Sequence, residues 1–539
     1  MRKPASLRAL PIRAAMVRRY DASGMSWEKE LEELRGRKAL AAQMGGAEKV
    51  ARHKGLGKLT VRERIDGLVD AGSFHEIGSI AGKASYDADG KLAGFIPANL
   101  VMGRARIEGR PVAVAGDDFT VRGGAADAAI RGKLVTVERM AQDLRIPLVR
   151  LVDGTGGGGS VKSIEIEGRT LLPSMPMWQL CVDNLSRVPV VALALGSVAG
   201  LGAARVAASH YSVIVKDTAQ MFVAGPPVVA RVGEEVGKNE LGGSEIHTRN
   251  GAIDDEAASE TEAFALARRF LSYLPSSVHE LAPRTEPKDE PKRRDERLLG
   301  AIPRDERKVY KMRPIVEALV DQGSFFEIGR RWGKSVITGL ARLDGWPVAV
   351  LASDPYHYGG AWTADACDKV IRMVDLAQTF QLPVVHLVDV PGFLIGRIAE
   401  QAGTIRHGAR AMQAVYQCTV PWCAILVRKV FGVAGAAHMN PARYGMRYAW
   451  PSGDWGSLPV AGGLEAAYKA ELEAAPDAKA KLAEIEARLA KLKSPFRSAE
   501  AYIVEEIIDP RDTRAILTEF ANLAAPLRTP GPPSFGYRP

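Results

Sequence analysis

Short apolar runs alternate along the chain with stretches of helical periodicity. Residues 111–116 (PVAVAG) and 148–153 (LVRLVD) are mostly apolar and rich in β-branched side chains, without a polar residue at every second position. Such runs are typical of strands that are buried on both faces of a parallel sheet. Between them, residues 125–144 have helical spacing, and a further apolar run follows at 189–200. This order predicts βαβ units, and therefore an α/β fold with a mostly parallel sheet.

The same pattern occurs twice along the chain. Residues 111–157 align without a gap with residues 347–393, and 18 of these 47 positions carry the same residue. Two further pairs of segments match in the same order: 68–78 with 319–329, and 188–203 with 420–435. We therefore predict a tandem duplication of one α/β unit, and we call its two occurrences copy one and copy two.

The repeat divides the chain into two domains. We assign residues 25–278 to the first domain and 313–539 to the second, with the Pro-rich and charged stretch 279–312 as the linker between them. In the second domain, residues 463–492 are rich in Ala, Glu and Lys at helical spacing. This stretch predicts a solvated surface helix or a helical hairpin.

Residues 1–24 form a basic N-terminal extension, with no acidic residue before Asp21. A transit peptide or a basic tail would have this composition. We favour a third interpretation, in which the natural start is Met25 and the extension is disordered or not native. The reason is that the sequence from Met25, MSWEKELEELRGRK, opens directly as a helix.

Composition narrows the range of functions. The chain has 46% apolar and 25% charged residues, which is ordinary for a globular protein, and it has no apolar run of about 18 residues that would span a membrane. Its four cysteines lack metal-binding spacing, so we expect buried reduced thiols and a cytoplasmic, bacterial-type protein in preference to a mitochondrial one. Part of the net charge of +9 lies in residues 1–24, and the rest is not gathered in one patch, so it suits a polyanionic small-molecule ligand better than nucleic acid.

Four glycine-containing loops follow predicted strands: 153–160 and 196–202 in copy one, and 389–396 and 428–435 in copy two. In parallel α/β sheets, ligands bind at the carboxyl ends of the strands. Glycine there lets backbone N–H groups approach an oxygen closely, and two converging N–H groups form an oxyanion hole. A tight structural turn would explain one such loop, but four loops at equivalent positions favour a functional site.

Residues 154–159 also fit the GxGxxG pattern of a dinucleotide site. Three features weigh against that alternative. No strand ending in an acid follows at the expected distance, the polar stretch 160–176 replaces an immediate helix, and the equivalent copy-two loop lacks the pattern. The sequence has neither a P-loop nor a GxSxG nucleophile motif, and we leave His407 and His438, which lie near the copy-two loops, unassigned.

Several motifs together point to one family. They are LVDVPGFLIG, TVPWCAILVRK and YAW in the second half, and DFTVRGG, AGPPVV and GEEVGKNELGG in the first. From about Trp27 to Leu527, the chain resembles the carboxyltransferase (β) subunits of biotin-dependent acyl-CoA carboxylases. This resemblance implies a tandem pair of crotonase-like (ββα spiral) domains and a hexamer built from dimers. It also implies an active site between the first domain of one subunit and the second domain of another.

The implied reaction moves CO2 from carboxybiotin to the α-carbon of an acyl-CoA through an enolate. Oxyanions develop on the thioester and on the biotin ureido group, and each requires its own hole. The sequence has no AMKM attachment motif. Biotin is therefore expected on a separate biotin carboxylase and carrier (α) subunit. The resemblance also implies that the present chain, as the carboxyltransferase subunit, holds no metal.

By resemblance, the acyl-CoA hole is formed by Gly156 and Gly157 and supported by Gly200. Coenzyme A phosphates are expected to contact Arg122 and Lys133, and the alternative is that these two residues are exposed helix cations. The familiar SGGAR loop of the family is here TGGGG at 155–159, so that its arginine is missing.

By resemblance, the biotin hole is formed by the backbones of Gly396 and Arg397 and supported by Gly432. The familiar RKAYGGAY is here RKVFGVAG, and Ile398 occupies a position that is often acidic and influences acyl-group choice in the family. An apolar residue there predicts a substrate other than, or broader than, propionyl-CoA. Three alternatives stay open: a biotin-dependent acyl-CoA decarboxylase subunit that runs the transfer backwards, a crotonase-type hydrolase or isomerase, and a non-catalytic assembly subunit.

Overall fold

A computed structural model of the chain describes residues 26–124, 130–154, 164–165, 168–170, 172, 174–175, 177–287 and 289–539. The strands of the first half are β1 His75–Glu76, β2 Gly82–Tyr86, β3 Leu92–Pro97, β4 Leu100–Ile107, β5 Arg110–Asp117, β6 Leu148–Val152, β7 Val190–Ala194, β8 Ser197–Ala199, β9 Tyr211–Val215, β10 Gln220–Phe222 and β11 Asp255–Ala257. Its helices are α1 Glu28–Ala42, α2 Ala47–Gly55, α3 Val61–Leu68, α4 Arg131–Leu144, α5 Met177–Asn184, α6 Leu201–Ala207, α7 Pro226–Val229, α8 Lys238–Gly242, α9 Ser244–His247 and α10 Glu260–Ser272.

The second half repeats this order. Its strands are β12 Phe326–Ile328, β13 Val336–Leu343, β14 Trp346–Ser353, β15 Val384–Val390, β16 Trp422–Phe431, β17 Met446–Ala449, β18 Asp454–Gly456 and β19 Glu506–Ile507. Its helices are α11 Arg313–Leu319, α12 Ala364–Phe380, α13 Arg397–Gln401, α14 Thr404–Gln417, α15 Gly432–Ala436, α16 Val460–Ala467, α17 Lys469–Ala474, α18 Ala478–Ala490, α19 Pro495–Glu500 and α20 Thr513–Ala524.

The two main sheets have the same topology within the described residues. The strand order is β1-β4-β5-β6-β7-β9-β11 in the first and β12-β13-β14-β15-β16-β17-β19 in the second, with β18 paired to β16. In each sheet the first two pairings are antiparallel and the later ones parallel. The central strands β6 and β15 are buried along their whole length, as continuous apolar runs predict. The duplicated α/β fold is therefore confirmed.

One predicted strand is divided in two. The sequence favoured a single strand over 189–200, but β7 ends at Ala194, and β8 begins at Ser197 and pairs with β10 in a separate small sheet. The break falls at Gly196, where any side chain would clash with the carboxylate of Asp153. The equivalent strand of copy two, β16, runs unbroken and pairs with β18 over its last three residues.

Three further expectations concern the rest of the chain. The predicted helical hairpin at 463–492 is confirmed by α16, α17 and α18. The stretch 279–312 contains a 3-10 turn at Glu296–Gly300 and buries Leu298 and Tyr310, so it packs on the second domain. The boundaries of the two domains and of the linker stay predictions. Among the described residues, no helix is both long and apolar enough to cross a membrane.

The helix α12 joins the two halves. It is buried along nearly its whole length, and its Arg372 donates to Asp254, just before β11 of copy one, at 2.8 Å. The equivalent copy-one helix α4 keeps an outer face, since Arg139 and Leu144 are exposed. Copy one therefore covers a helix of copy two, while the described residues leave the corresponding helix of copy one partly uncovered.

Asp255, next to the Asp254 that binds α12, gives a prediction about the pH dependence of stability. Asp255 accepts a hydrogen bond from the Tyr211 hydroxyl (3.0 Å), while burial and the neighbouring Asp254 carboxylate raise the pKa of Asp255 to about 7. A carboxyl with a higher pKa in the folded than in the unfolded chain makes folding less favourable as pH rises from about 4 to about 7. Asp255→Asn, which does not titrate, should therefore gain relative stability over that interval and keep a constant gain above it.

Thermal unfolding of the variant and the unchanged chain, measured between pH 5 and pH 8, tests this prediction. Parallel stability curves for Asp255→Asn and the unchanged chain would contradict it.

Candidate functional site

Each central strand ends near a fully buried carboxylate, Asp153 in copy one and Asp389 in copy two. In copy one, Arg64 of α3 donates from Nη1 to Asp153 Oδ2 at 2.9 Å. The same guanidinium binds both carboxylate oxygens of Glu260 (2.8 and 2.9 Å) and the carbonyl oxygen of Leu195 (3.0 Å). Arg64 therefore ties the end of β6 to the segment that follows β7.

The copy-two carboxylate has more partners. Asp389 Oδ2 accepts from the Tyr310 hydroxyl (2.8 Å) and from Arg428 Nε (3.0 Å), and its Oδ1 accepts from the Lys429 backbone N–H (3.0 Å). The Arg428 guanidinium lies 4.8 Å from the centroid of the Tyr310 ring. Burial, and then the Asp389 carboxylate, hold the pKa of Tyr310 well above its ordinary value, so the hydroxyl stays a neutral donor.

The first copy-two loop is held by Trp362. The backbone N–H of Trp362 donates to the Gly392 carbonyl oxygen (3.1 Å), and the backbone N–H of Leu394 donates to the Trp362 carbonyl oxygen (2.9 Å). The Trp362 side chain is almost fully buried, with its ring centroid 6.3 Å from that of Phe393. Phe393 in turn covers Gly408, where any side chain would clash with its ring. The loop therefore has a fixed path at 391–394.

Beyond this anchor the loop is exposed. Gly396 has φ 106° and ψ 168°, and it precedes α13 with open space around the position of a Cβ. Arg397 and Ile398 are exposed in the first turn of that helix. The second copy-two loop lies beside the first, because a Cβ on Gly392 would be 4.0 Å from the Phe431 carbonyl oxygen, one residue before Gly432 (φ 60°).

Copy one repeats part of this arrangement. Gly200, at the position equivalent to Gly432, has φ 58° and leads from β8 into α6. Its N–H donates to the Phe222 carbonyl oxygen (3.2 Å), and the neighbouring Ala199 N–H donates to the Gly154 carbonyl oxygen (3.3 Å). Gly200 therefore supplies the turn and a link to the first loop, while its own N–H is used within the fold. The predicted hole residues Gly156 and Gly157 lie outside the described residues.

The two predicted phosphate contacts differ in their surroundings. Arg122 is exposed with φ 57°, in a turn that touches the first loop, since a Cβ on Gly154 would be 3.1 Å from the Gly124 Cα. Lys133 is buried, so the alternative of an exposed helix cation does not describe it. Its Nζ donates to the Gly78 carbonyl oxygen (3.1 Å), and burial lowers its pKa to about 8.

The duplication offers a matched test of Lys133. The equivalent Lys369 is also buried and donates to the carbonyl oxygens of Trp332 (3.0 Å) and Val336 (2.8 Å). Since both lysines bond to backbone oxygens, we expect Lys133→Met and Lys369→Met each to cost about 1–3 kcal/mol of stability. For the same reason, we expect the KM for a coenzyme A thioester to stay within about twofold. A lost phosphate contact would instead weaken binding by about 1.4 kcal/mol or more, which corresponds to a tenfold rise in KM.

Thermal unfolding and steady-state kinetics on both variants test this expectation. A KM that rises at least tenfold in Lys133→Met alone would instead support the phosphate contact predicted from the sequence.

Other candidate groups are occupied by structural contacts. His407 Nδ1 lies 2.8 Å from Asp368 Oδ1, and His438 Nδ1 lies 2.8 Å from the Gly435 carbonyl oxygen. The four cysteines are buried and free, which confirms the expectation of buried reduced thiols. In the described part of the chain, no group of three or more His, Cys, Asp or Glu side chains is arranged to hold a metal ion.

Comparison with known proteins adds to this geometry. Residues 52–529 match the family model described as carboxyl transferase domain. The chain belongs to the carboxyl transferase family. The resemblance of its motifs to carboxyltransferase subunits is thereby confirmed. A propionyl-CoA carboxylase carboxyltransferase subunit of Haloferax mediterranei is 32% identical over 501 residues, covering 91% of this chain and 95% of the relative.

Two further relatives of this carboxyl transferase are informative. The methylmalonyl-CoA decarboxylase subunit alpha of Veillonella parvula is 31% identical over 519 residues, covering 95% of this chain and 99% of that protein. The transcarboxylase 12S crystal structure, a hexamer with methylmalonyl-coenzyme A and methylmalonic acid bound, superimposes with a TM-score of 0.83 at 30% identity, covering 95% of this chain and 97% of that one. The fold class predicted from the sequence is confirmed by this likeness.

The sequence did not single out the side chains that support the loops. Arg64, Glu260, Tyr310 and Trp362 lie outside the glycine motifs, and all four are largely or fully buried. The repeat marks neither Arg64 nor Trp362, because each aligns with an unlike residue of the other copy, Ile315 and Ala126.

Proposed function

We propose that this chain is the carboxyltransferase subunit of a biotin-dependent acyl-CoA carboxylase. It moves CO2 from carboxybiotin, held on a partner carrier, to the α-carbon of an acyl-CoA thioester. The observation that carries the proposal is that both sheets have the same strand order, with Gly200 and Gly432 at equivalent positions after a strand and with nearly equal positive φ angles of 58° and 60°. Membership of the carboxyl transferase family supports it.

The duplication suits a reaction with two oxyanions. In the proposal, the copy-one loops bind the thioester, with Gly156 and Gly157 as donors and Gly200 as the turn that supports them. The copy-two loops bind the biotin ureido oxygen through the backbones of Gly396 and Arg397. One such donor contributes about 10²–10³ in rate. Gly396 suits this role because its surroundings are open to solvent and leave room for a ligand.

Carboxybiotin supplies the CO2 and, once the carboxyl has left, a ureido nitrogen that takes the α-proton of the thioester. The enolate electron pair then forms the new carbon–carbon bond to CO2. The chain itself binds and orients the two reactants and stabilises charge through backbone N–H groups, so that no side-chain base is required. Arg122, exposed beside the first copy-one loop, is the candidate for the coenzyme A phosphates.

For partners, we propose a biotin carboxylase and carrier (α) subunit and a homohexamer. The hexameric transcarboxylase 12S structure supports the assembly, because it covers 95% of this chain. Cytoplasmic placement is part of the same proposal.

The decisive experiment combines the chain with a biotin carboxylase and carrier partner, ATP, bicarbonate and a panel of acyl-CoAs. We expect at least one acyl-CoA to be carboxylated. The reverse reaction, from a malonyl-type CoA to free biotin, is measured in parallel. Absence of transfer in both directions would refute the proposal and favour a hydrolase, an isomerase or a non-catalytic subunit.

A second candidate is the decarboxylase direction. The 31% identity to the methylmalonyl-CoA decarboxylase subunit of Veillonella parvula favours it, because that protein covers almost the whole chain. Transfer from acyl-CoA to biotin that greatly exceeds the forward reaction with the chain's own partner would support this second candidate.

Ile398 gives a prediction about acyl-group choice. Its side chain is 81% exposed in the first turn of α13, close to the proposed biotin hole. Ile398→Asp should change the ratio of kcat/KM between a short and a long acyl-CoA by at least about tenfold, the scale of discrimination in an apolar pocket. The control is Ile395→Asp in the same loop, where the side chain is 87% exposed. Equal profiles for both variants would show that Ile398 does not face the acyl group.

A further inference from the structure

The two strand-end carboxylates are bound by arginines that come from different places in the fold. The repeat aligns Arg64 of copy one with Ile315 of copy two, and Gly196 of copy one with Arg428 of copy two. The first alignment is supported by equivalent ion pairs, Arg62 with Glu76 (2.9 Å) and Arg313 with Glu327 (2.6 Å). The arginine therefore occupies a different position in each copy, and in both copies it binds the equivalent carboxylate.

Steric constraints explain why each copy has its arginine at only one of the two aligned positions. In copy one, Asp153 lies against Gly196, and any side chain at 196 would clash with its carboxylate. In copy two, Ile315 is buried in the apolar core on the equivalent face of α11, and Arg428 extends from β16 to Asp389. A guanidinium offers five donors in a planar fork, so that it can bind a carboxylate and a backbone oxygen together.

In both copies, the arginine connects the two loops of one site. Arg64 binds Asp153, which leads into the first copy-one loop, and the Leu195 carbonyl oxygen, which begins the second. Arg428 is itself the first residue of the second copy-two loop, and it binds Asp389 at the start of the first. The spacing between the paired loops therefore depends on one guanidinium in each copy.

We infer that Arg64 and Arg428 are positioning residues: Arg64 holds together the ends of β6 and β7, on the proposed acyl-CoA side, and Arg428 holds together the ends of β15 and β16, on the proposed biotin side. The inference rests on the proposed function. The two carboxylates also differ in how many partners they have besides the arginine. Among the described residues, Asp153 Oδ1 has no hydrogen-bond partner, whereas Asp389 is bound by Tyr310 and Lys429 as well as Arg428. Copy one is therefore the more sensitive of the two.

Lysine variants test the inference, because lysine keeps the charge but cannot bind two groups in a plane. Arg64→Lys should raise the KM for acyl-CoA and lower kcat, each at least about tenfold, with the KM for free biotin unchanged, because a displacement of about 1 Å costs up to 10²-fold. Arg428→Lys should raise the KM for free biotin by a smaller factor and leave the KM for acyl-CoA unchanged.

The control is Arg150→Lys. Arg150 is fully buried in β6, and it binds both carboxylate oxygens of Glu138 (2.9 Å) and the carbonyl oxygens of Arg205 and Ala208 (3.0 and 2.8 Å). Arg150, like Arg64, is a buried arginine that binds a carboxylate and backbone carbonyl oxygens, but it does not connect the two loops. Arg150→Lys should therefore lower the Tm as Arg64→Lys does, with both KM values unchanged.

If a lysine variant does not fold, Glu260→Gln and Tyr310→Phe weaken the same two clusters more gently. We expect Glu260→Gln to raise the KM for acyl-CoA and Tyr310→Phe to raise the KM for free biotin, each by a smaller factor than the lysine variant. The inference is overturned if Arg64→Lys and Arg428→Lys change the same parameter, if neither changes a KM, or if Arg150→Lys gives the Arg64 pattern. An unchanged chain that transfers no carboxyl group would instead refute the proposed function, and this inference with it.

Discussion

Replacing Gly396 by alanine is expected to lower the kcat of carboxyl transfer by about 10²–10³-fold, the effect of losing one oxyanion donor. Gly396 has φ 106° and ψ 168°, a backbone conformation that is essentially restricted to glycine. An alanine there would leave this conformation, and the N–H groups of Gly396 and Arg397 would turn away from the ureido oxygen. The Tm should change little, because the residue is exposed and a Cβ would meet no neighbour.

A matched control exists in the first domain. Gly46 has φ 92° and ψ 160°, it also precedes a helix (α2), and a Cβ on it would likewise meet no neighbour. Gly46→Ala carries a similar backbone strain of about 1–3 kcal/mol at a site outside the proposed holes. Its kcat should stay within about twofold. Full activity in Gly396→Ala would remove this loop from the proposed biotin hole.

Truncation of Trp362 should lower both the stability of the chain and its activity. Trp362→Ala removes a nearly fully buried aromatic side chain, which costs about 3–5 kcal/mol. It also removes the ring that packs against Phe393 in the 391–394 loop, and leaves that loop held only by the two backbone hydrogen bonds of residue 362. We therefore expect a loss of at least tenfold in kcat at temperatures where the variant is still folded, in addition to the lower Tm.

Phe270→Ala separates the two effects. Phe270 is fully buried in copy one and stacks on Tyr211 at 4.9 Å between ring centroids. Its truncation should cost a similar 3–5 kcal/mol without an effect on kcat below the unfolding transition. If Trp362→Ala and Phe270→Ala have the same kcat as the unchanged chain, the Trp362 anchor contributes to folding alone.

The fold was largely predictable because the same alternation of apolar runs and helical stretches occurs twice in the sequence. Continuous apolar runs indicated β6 and β15, and the match between copies placed the loops at equivalent strand ends. The division of β7 from β8 could not be predicted, because it depends on the Asp153 carboxylate that lies against Gly196. A tertiary contact of this kind leaves no trace in local periodicity.

For the candidate site, the sequence indicated backbone positions and no supporting side chains. Gly200, Gly396 and Gly432 each have a positive φ, which favours glycine at those positions, while their roles in the two holes stay predictions. The side chains that hold those turns are far apart in sequence, as with Arg64 and Glu260, and an arginine in a helix carries no local sign of its partner. Likewise, Trp362 aligns with Ala126 in copy one, so that the repeat gave no indication of an anchor.

The separate origins of the two arginines constrain the gene as well as the protein. A recombination event that copied the α11 segment over α3 would place isoleucine at position 64 while leaving glycine at 196. Asp153 would then be a buried carboxylate without a guanidinium, at a cost of about 3–5 kcal/mol. The reverse exchange would place two arginines near Asp389. Short gene-conversion tracts between the halves would therefore be damaging, and this would act to keep the two copies different.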